Sequence, residues 1–257
     1  MKILRVMGLA VLLLGLVGCA SVPSAAQGGD STASTGSAPQ ALAPTRDPRD
    51  PWEPFNRRMD RFNQQVDQAV LKPVAQTYVQ VMPQPIRTGV RNFFHNLDEI
   101  GTLVSTVLQL KPKPAIETAV RLGVNSTLGL LGVLDLATPM GLERHEEDIG
   151  QALGRWGVGT GPYLVLPLLG PSTVRDTAAL PVDHRGDLVH EIDPTASRNA
   201  AIVTRAVDTR ANLLGASRVM EEVALDRYTF TRDAYLQKRR ADVFDGLPPP
   251  MPDEPKE

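Results

Sequence analysis

Apolar residues in this 257-residue chain recur at helical spacing. Phe55, Met59, Phe62, Val66 and Val70 step by four, three, four and four, which is one stripe of a helix. Lys72-Pro73 interrupts the stripe, because proline lacks the amide hydrogen that a helix interior uses. Pro83 and Pro85 open a second helix, whose apolar face runs Ile86, Val90, Phe93 or Phe94, Leu97, Val104 and Leu108. Pro114 suits the first turn of a third, carrying Ile116, Val120 and Val124. Asp193-Pro194 forms a cap and first-turn pair ahead of a long helix with Ile202, Ala206, Leu213, Met220 and Ala224. A last helix is predicted over 228–241, ending in the basic cluster Lys238-Arg239-Arg240. No alternating stretch is long enough to predict a strand with conviction, and no internal repeat is evident. The fold class read from this pattern is all-α.

The middle of the chain breaks the rhythm. Glycines crowd the stretch from Gly123 to Gly170. Leu128–Ala137 is apolar except for its glycines and Asp135, and 157–171 is apolar but cut by Pro162, Pro167 and Pro171. Neither is long enough to cross a bilayer as a helix. Non-helical apolar backbone is tolerated at membrane depth only where protein or a water-filled cavity satisfies it. Two readings stay open: the wall of a pore or groove, or a buried loop in a soluble core.

The N-terminus changes the picture. Lys2 and Arg5 followed by the apolar run Gly8 to Val17 read as a signal peptide, residues 1–18. Leu16-Val17-Gly18-Cys19 has the form of a lipobox, and Cys19 is the single cysteine of the chain. Cleavage before Cys19 would leave a lipidated residue one, anchored by acyl chains at about 0.8 kcal/mol per buried CH₂. Ala20, rather than the aspartate of lipoproteins retained at the inner membrane, points to the outer membrane. Residues 20–46 are Ser, Ala, Gly, Thr, Pro and Gln with few large apolar side chains, too little to bury, and read as a tether of at most roughly 90 Å. The predicted organisation is signal 1–18, lipidated tether 19–46, helical domain 47–245 and a disordered proline-rich tail 246–257. The formal charge is −2, becoming about −4 without the signal, so there is no basic footprint for nucleic acid. With one cysteine, no disulfide staples the mature chain. After the signal no run of about 20 apolar residues appears, so any membrane contact beyond the anchor is made by amphipathic surfaces.

Catalytic and metal chemistry find little support. His145-Glu146-Glu147-Asp148 lacks the spacing that puts two imidazoles on one helix face, and reads as a solvated acidic helix start. Gly157-x-Gly159-x-Gly161 lacks a preceding strand for a dinucleotide turn. Gly170-Pro-Ser172 is not a nucleophile elbow, and Ser172 reads as the cap of a helix over 173–180. His184 and His190, among Asp183, Asp187 and Glu191, read as a polar loop. No catalytic residue, metal or cofactor is assigned, and the chain is read as a non-enzyme. The charged pair Arg175-Asp176 directly follows the Gly/Pro-rich apolar segment, where it suits either a structural ion pair or a phospholipid headgroup. Arg205, Arg210 and Arg218 punctuate the long helix opposite its apolar side, as in a helix lying at a headgroup layer or along a channel.

Longer motifs then assemble. Asp50-Pro-Trp-Glu-Pro-Phe-Asn-Arg57, Phe62-Asn63, Pro83-Gln-Pro-Ile-Arg87, Gly89-Val-Arg-Asn-Phe-Phe94, Arg121 to Asp135, Asp148 to Gly154, Trp156 to Tyr163, Leu166 to Ser172 with Arg175-Asp176, and Arg232-Asp-Ala-Tyr-Leu236 resemble the MlaA (VacJ) family of outer-membrane lipoproteins. The resemblance spans 47–245. Pro54 departs from relatives that carry glycine there, and the tether is long. The resemblance implies a ring-like, donut-shaped arrangement of amphipathic helices around a central channel, embedded in one leaflet without a spanning helix. It implies removal of mislocalised glycerophospholipid from the outer leaflet and its transfer to the soluble periplasmic carrier MlaC, with outer-membrane porin trimers alongside. By the same resemblance Thr138, Met140, Gly141 and Leu142 form a gating loop, and Phe62 and Asn63 lie on a helix that keeps the channel intact. Arg175, Asp176 and Arg205 are the candidate channel polars. A structural bridging lipoprotein without a channel and, further off, a lipid hydrolase are the alternatives.

Overall fold

Helix α1, Glu53–Val66, shows how the sequence builds this domain. Asn56 and Asn63 stand seven residues apart and so share one face. Both reach the backbone of strand β1, Tyr163–Leu166. Asn56 donates to the Tyr163 carbonyl (3.0 Å) and accepts from the Val165 amide (2.9 Å). Asn63 donates to the Leu166 carbonyl (2.9 Å) and accepts from the Leu168 amide (2.7 Å). The side-chain amides act as a neighbouring strand would, covering an edge that is otherwise open to pairing. The other edge of β1 pairs antiparallel with β2, Gly170–Thr173, in the register Tyr163 with Thr173 and Leu166 with Gly170. The three-residue turn between them places Leu168 at φ 64° and the next strand begins on Gly170 at φ 83°.

The structure is a computed structural model that describes residues 47–249; the predicted signal, Cys19, the tether and residues 250–257 lie outside the described residues. Beyond α1 a single π-helical turn, Asp67–Leu71, leads into α2, Lys72–Val81. Lys72-Pro73 therefore does not end the helical path. The wider turn accommodates the amide that Pro73 lacks and the ring that would strike the carbonyl four residues back. Then follow α3 (Gln84–Leu108), α4 (Pro112–Thr127), α5 (Ile149–Arg155), the hairpin, α6 (Val174–Gly186), a 3₁₀ turn (Leu188–Glu191), α7 (Thr195–Asn212), α8 (Leu214–Val223) and α9 (Arg227–Val243). The predicted long helix after Asp193-Pro194 is thus two helices meeting at Leu213, with Pro194 as the cap and Thr195 the first helical residue. The domain is predominantly helical, and the hairpin is the departure from the all-α expectation. The cap of α6 is Thr173, whose hydroxyl accepts from the Asp176 amide (3.2 Å), because β2 runs one residue past Ser172.

Polarity is inverted in this fold. α3 turns Asn96, Glu99, Thr102, Ser105 and Thr106 inward and leaves Ile86, Val104, Val107 and Leu108 exposed. On α1 and the π-helical turn after it the predicted apolar stripe faces outward at Phe55, Phe62 and Val70, while Asn56 is fully buried. Among the described residues 20 polar or charged side chains are buried against 12 apolar ones. A water-soluble domain of this size normally shows the reverse. The apolar periodicity is real, but it marks the outside. One apolar cluster remains inside, where Tyr163, Val165 and Tyr228 pack with Met59, Tyr235 and Leu236 between α1, the hairpin and α9. No described helix is long and apolar enough to cross a membrane. α3 is about 37 Å long at roughly 1.5 Å per residue, yet it carries Arg87, Arg91, Asp98 and Glu99.

Candidate functional site

The polar interior opens into a cavity of about 810 Å³. α3 contributes Arg91, Phe94, His95, Asp98 and Thr102 to its wall; the hairpin contributes Leu166, Leu169, Pro171 and Ser172. The segment 144–148 with α5, and helices α6, α7 and α9, complete the lining, with Leu180, Leu213 and Tyr235 as apolar members among many charges. The lining is amphipathic and its size is that of a small-ligand site.

One ion-pair network braces this wall. Arg239 of α9 donates from Nε to Asp176 Oδ2 (3.0 Å) and from Nη2 to Asp176 Oδ1 (2.9 Å). Its Nη1 and Nη2 also reach Asp148 (2.7 and 3.0 Å). Asp148 in turn caps α5 by accepting from the Gln151 amide (2.8 Å). Tyr235 donates its hydroxyl to Asp176 (3.1 Å). A side chain at Gly150 would put a Cβ 2.5 Å from Asp176 Oδ1, so the close approach of α5 requires glycine there. Burial works against the Asp176 carboxylate, but the hydrogen bonds and charge of Arg239, with Arg175 beside them, outweigh it and hold the group below the usual aspartate range. Burial likewise opposes the Arg239 charge, and Asp148 and Asp176 overcome it.

Of the three predicted channel polars, Asp176 and Arg205 line the cavity and Arg175 is not among the lining residues. Arg175 is buried behind Asp176, to which its Nε donates (3.0 Å), and its guanidinium packs over Gly154. Arg205 bridges Asp187 (2.8 Å) and Asp98 (2.5 Å), joining α7 to α3. Burial pushes the Asp98 carboxyl up to about 6; Arg205 opposes this, and Asp187 and Glu146 add to it.

The predicted gating segment is pinned at its base. Arg121 of α4 donates to the Thr138 hydroxyl (3.1 Å), to the Leu142 carbonyl (2.8 Å) and to Glu99 (2.9 Å). Asp135 and Asn125 hold the 135–138 turn from the other side. Met140 projects, 63% exposed, and Gly141 has φ 80°. Residues 138–142 themselves do not line the cavity; the wall resumes at Arg144. The acidic run 145–148 is not the solvated helix start expected: Glu147 is buried against Lys111 and Gln109 (2.8 Å each), and His145 bonds Glu117 (2.7 Å). The carboxylates of Glu117 and Glu143 and the His145 ring place donor atoms within 4.8 Å of one another, with Lys113 3.8 Å from Glu117. His184 and His190 stack at 4.4 Å. The Ser172 hydroxyl meets Thr177 (2.9 Å) and the Thr173 carbonyl rather than a histidine.

Arg91, Asp98, Arg144, Asp148, Tyr235 and Arg239 line the cavity without having been singled out from sequence. Arg239 belongs to the basic cluster Lys238-Arg239-Arg240 that ends the predicted last helix. Asp148 was in view, as the last of an acidic run directly before a predicted helix, where a cap belongs.

The profile described as MlaA lipoprotein matches residues 48–242. The chain is 32% identical over 245 residues to the intermembrane phospholipid transport system lipoprotein MlaA of Escherichia coli strain K12, covering 91% of this chain and 87% of that protein. It is 32% identical over 198 residues to the protein of the same name from Haemophilus influenzae, covering 75% and 78%. A solved chain from work on the structural basis for maintenance of bacterial outer membrane lipid asymmetry superposes with a TM-score of 0.64 at 32% identity, covering 76% of this chain and 98% of that one.

Proposed function

Because this chain belongs to the MlaA lipoprotein family, we propose that it removes glycerophospholipid from the outer leaflet of the outer membrane and passes it through the central cavity to a periplasmic carrier. The observation that carries this reading is the inverted polarity: an amphipathic cavity inside, exposed apolar side chains outside, and no described helix able to span. Large exposed apolar surface on a folded domain marks contact with a membrane or a partner. Lipidation of Cys19 would place the domain at the periplasmic face, with its apolar exterior in the inner leaflet and porin trimers alongside.

Geometry supplies the selectivity. A ring of helices seated in one leaflet offers its cavity to the opposite leaflet and a wall of protein to its own. The bound lipid meets charges for its headgroup and Phe94, Leu180 and Leu213 for its chains. Transport is passive in this reading; lipid asymmetry and the affinity of the carrier, MlaC by family, set the direction. Asn63 holds the hairpin wall closed against α1, and the 138–142 loop, hinged on Arg121, governs access beside it.

The test is surface-exposed glycerophospholipid in cells with and without the gene, read by a phospholipase confined to the outer leaflet. Deletion is expected to raise it, and the wild-type gene, but not Cys19→Ser, to restore it. An unchanged surface would contradict lipid removal and leave a structural bridge.

A further inference from the structure

The charges around the cavity are not all balanced. Five of its carboxylates are held by cations: Asp98 by Arg205, Glu147 by Lys111, Asp148 and Asp176 by Arg239, Asp242 by Lys238. Asp183 and Asp208 are held by neutral donors instead, the Ile149 amide and the Tyr78 and Asn212 side chains. Two lining cations have no hydrogen-bonded carboxylate among the described residues. Arg91 bonds only the neutral Asn212 side-chain carbonyl (3.3 Å) and has no carboxylate within 4.0 Å among the described residues. Arg144 has a buried Nε with no hydrogen-bond partner, and its nearest carboxylate is the well-exposed Glu146 at 3.8 Å.

A buried guanidinium nitrogen without a partner is costly, and an ion or ligand that completes it is one explanation for its presence. Burial lowers the affinity of Arg144 for its proton; Glu146 resists this and the like charge of Arg91 adds to it. Arg91 and Arg144 line the same cavity, and an anion between or beside them would offset their like charge. The planar donor fork of arginine fits phosphate oxygens in pairs. His95, one turn on from Arg91, lines the same wall, and Phe94 and Leu213 border it with apolar surface.

We propose that Arg144 and Arg91 hold the phosphate of a glycerophospholipid headgroup inside the cavity, an assignment that rests on the lipid-transport reading above. Arg144 lies two residues beyond the Arg121-anchored loop, so a lipid passing that loop reaches this cation at once. The site takes the phosphate of a lipid whose acyl chains lie against Phe94 and Leu213.

The test is calorimetric titration of the full chain in nonionic detergent with dihexanoyl phosphatidylglycerol, dihexanoylglycerol, glycerol 3-phosphate and inorganic phosphate. Arg144→Gln is expected to weaken the phospholipid by about tenfold, Arg91→Gln by a few-fold, and Arg144→Lys to recover part of the loss. The uncharged diacylglycerol should bind weakly and equally to all variants. Phospholipid affinity unchanged in both glutamine variants would overturn the proposal. Inorganic phosphate or glycerol 3-phosphate bound as tightly as the lipid would overturn the headgroup assignment in favour of a free anion. Should Arg144→Gln fail to fold, Arg91→Gln, at a partly exposed side chain, decides alone. A glutamine variant that binds normally in a protein that still clears surface phospholipid overturns this site and leaves transport standing; a wild-type protein that clears none overturns transport itself.

Discussion

Asn56 is fully buried, yet each polar atom of its amide is used, on Asp50, the Tyr163 carbonyl and the Val165 amide. Asn56→Ala leaves a buried donor, acceptor and carboxylate short of a partner, and is expected to cost about 2–4 kcal/mol in denaturant unfolding. Asn56→Asp keeps the acceptor but sets a second carboxylate against Asp50, and should be no better. Asp98 provides the pH signature. Its folded pKa of about 6 lies above the roughly 3.9 of an unfolded aspartate, so the native state holds the extra proton between those values. Stability from this group is full below the unfolded value and is lost as pH rises through about 6. Partial exposure of the side chain screens the effect to about 1 kcal/mol. Melting at pH 5 and pH 7 should therefore differ in wild type by more than in Asp98→Asn, and equal differences would refute the assignment. Neither residue was legible in the sequence as a site. Asn56 sits in a family motif, but its partners are 107 and 109 positions away, and a lone aspartate in an amphipathic helix carries no mark of its desolvation.

Helices were the most legible elements, because proline starts and helical spacing survive whatever solvent surrounds them. Which way each stripe faces was not legible: periodicity reports a face, and the same stripe serves a core or a lipid surface. The hairpin was missed because four-residue strands with Pro162, Pro167 and Pro171 around them give no alternation to read. Its anchoring to α1 makes a sharp prediction. Deleting Phe62-Asn63 rotates the rest of α1 by about 200° against the hairpin and removes the Asn63 clamp. The expected result is leakage of inner-leaflet lipid to the surface. Asn63→Ala alone should reproduce it in the surface-phospholipid assay, whereas Phe62→Ala, at an outward-facing position, should not. A clean surface after the deletion would sink this role. The loop makes another. Arg121→Gln strips the hydrogen bonds to Thr138 and Leu142, and deuterium exchange over 135–142 should rise while that of α9 stays unchanged. Equal protection in wild type and variant would mean that Arg121 does not hold the loop.

At the scale of the molecule, the inside-out arrangement joins the fold to the proposed transport. An apolar exterior needs acyl chains around it, and a charged interior needs water or a headgroup within it. The sequence carried the membrane side of this in its lipobox and amphipathic helices, but the cavity is assembled from α3, the segment 144–148 with α5, the hairpin, α6, α7 and α9, and no local pattern announces a surface made from six places. The most direct test blocks that cavity. Thr209 lines it and Ser197 is exposed elsewhere on the same helix. Under the proposed lipidation of Cys19, Thr209→Cys or Ser197→Cys provides the one free thiol of the mature chain. Both variants should clear surface phospholipid before labelling. After reaction with a bulky thiol reagent, cells carrying Thr209→Cys should accumulate surface glycerophospholipid to the level of the gene deletion, and cells carrying Ser197→Cys should not. Full clearance with the label fixed at Thr209 would show that lipid does not pass through the cavity.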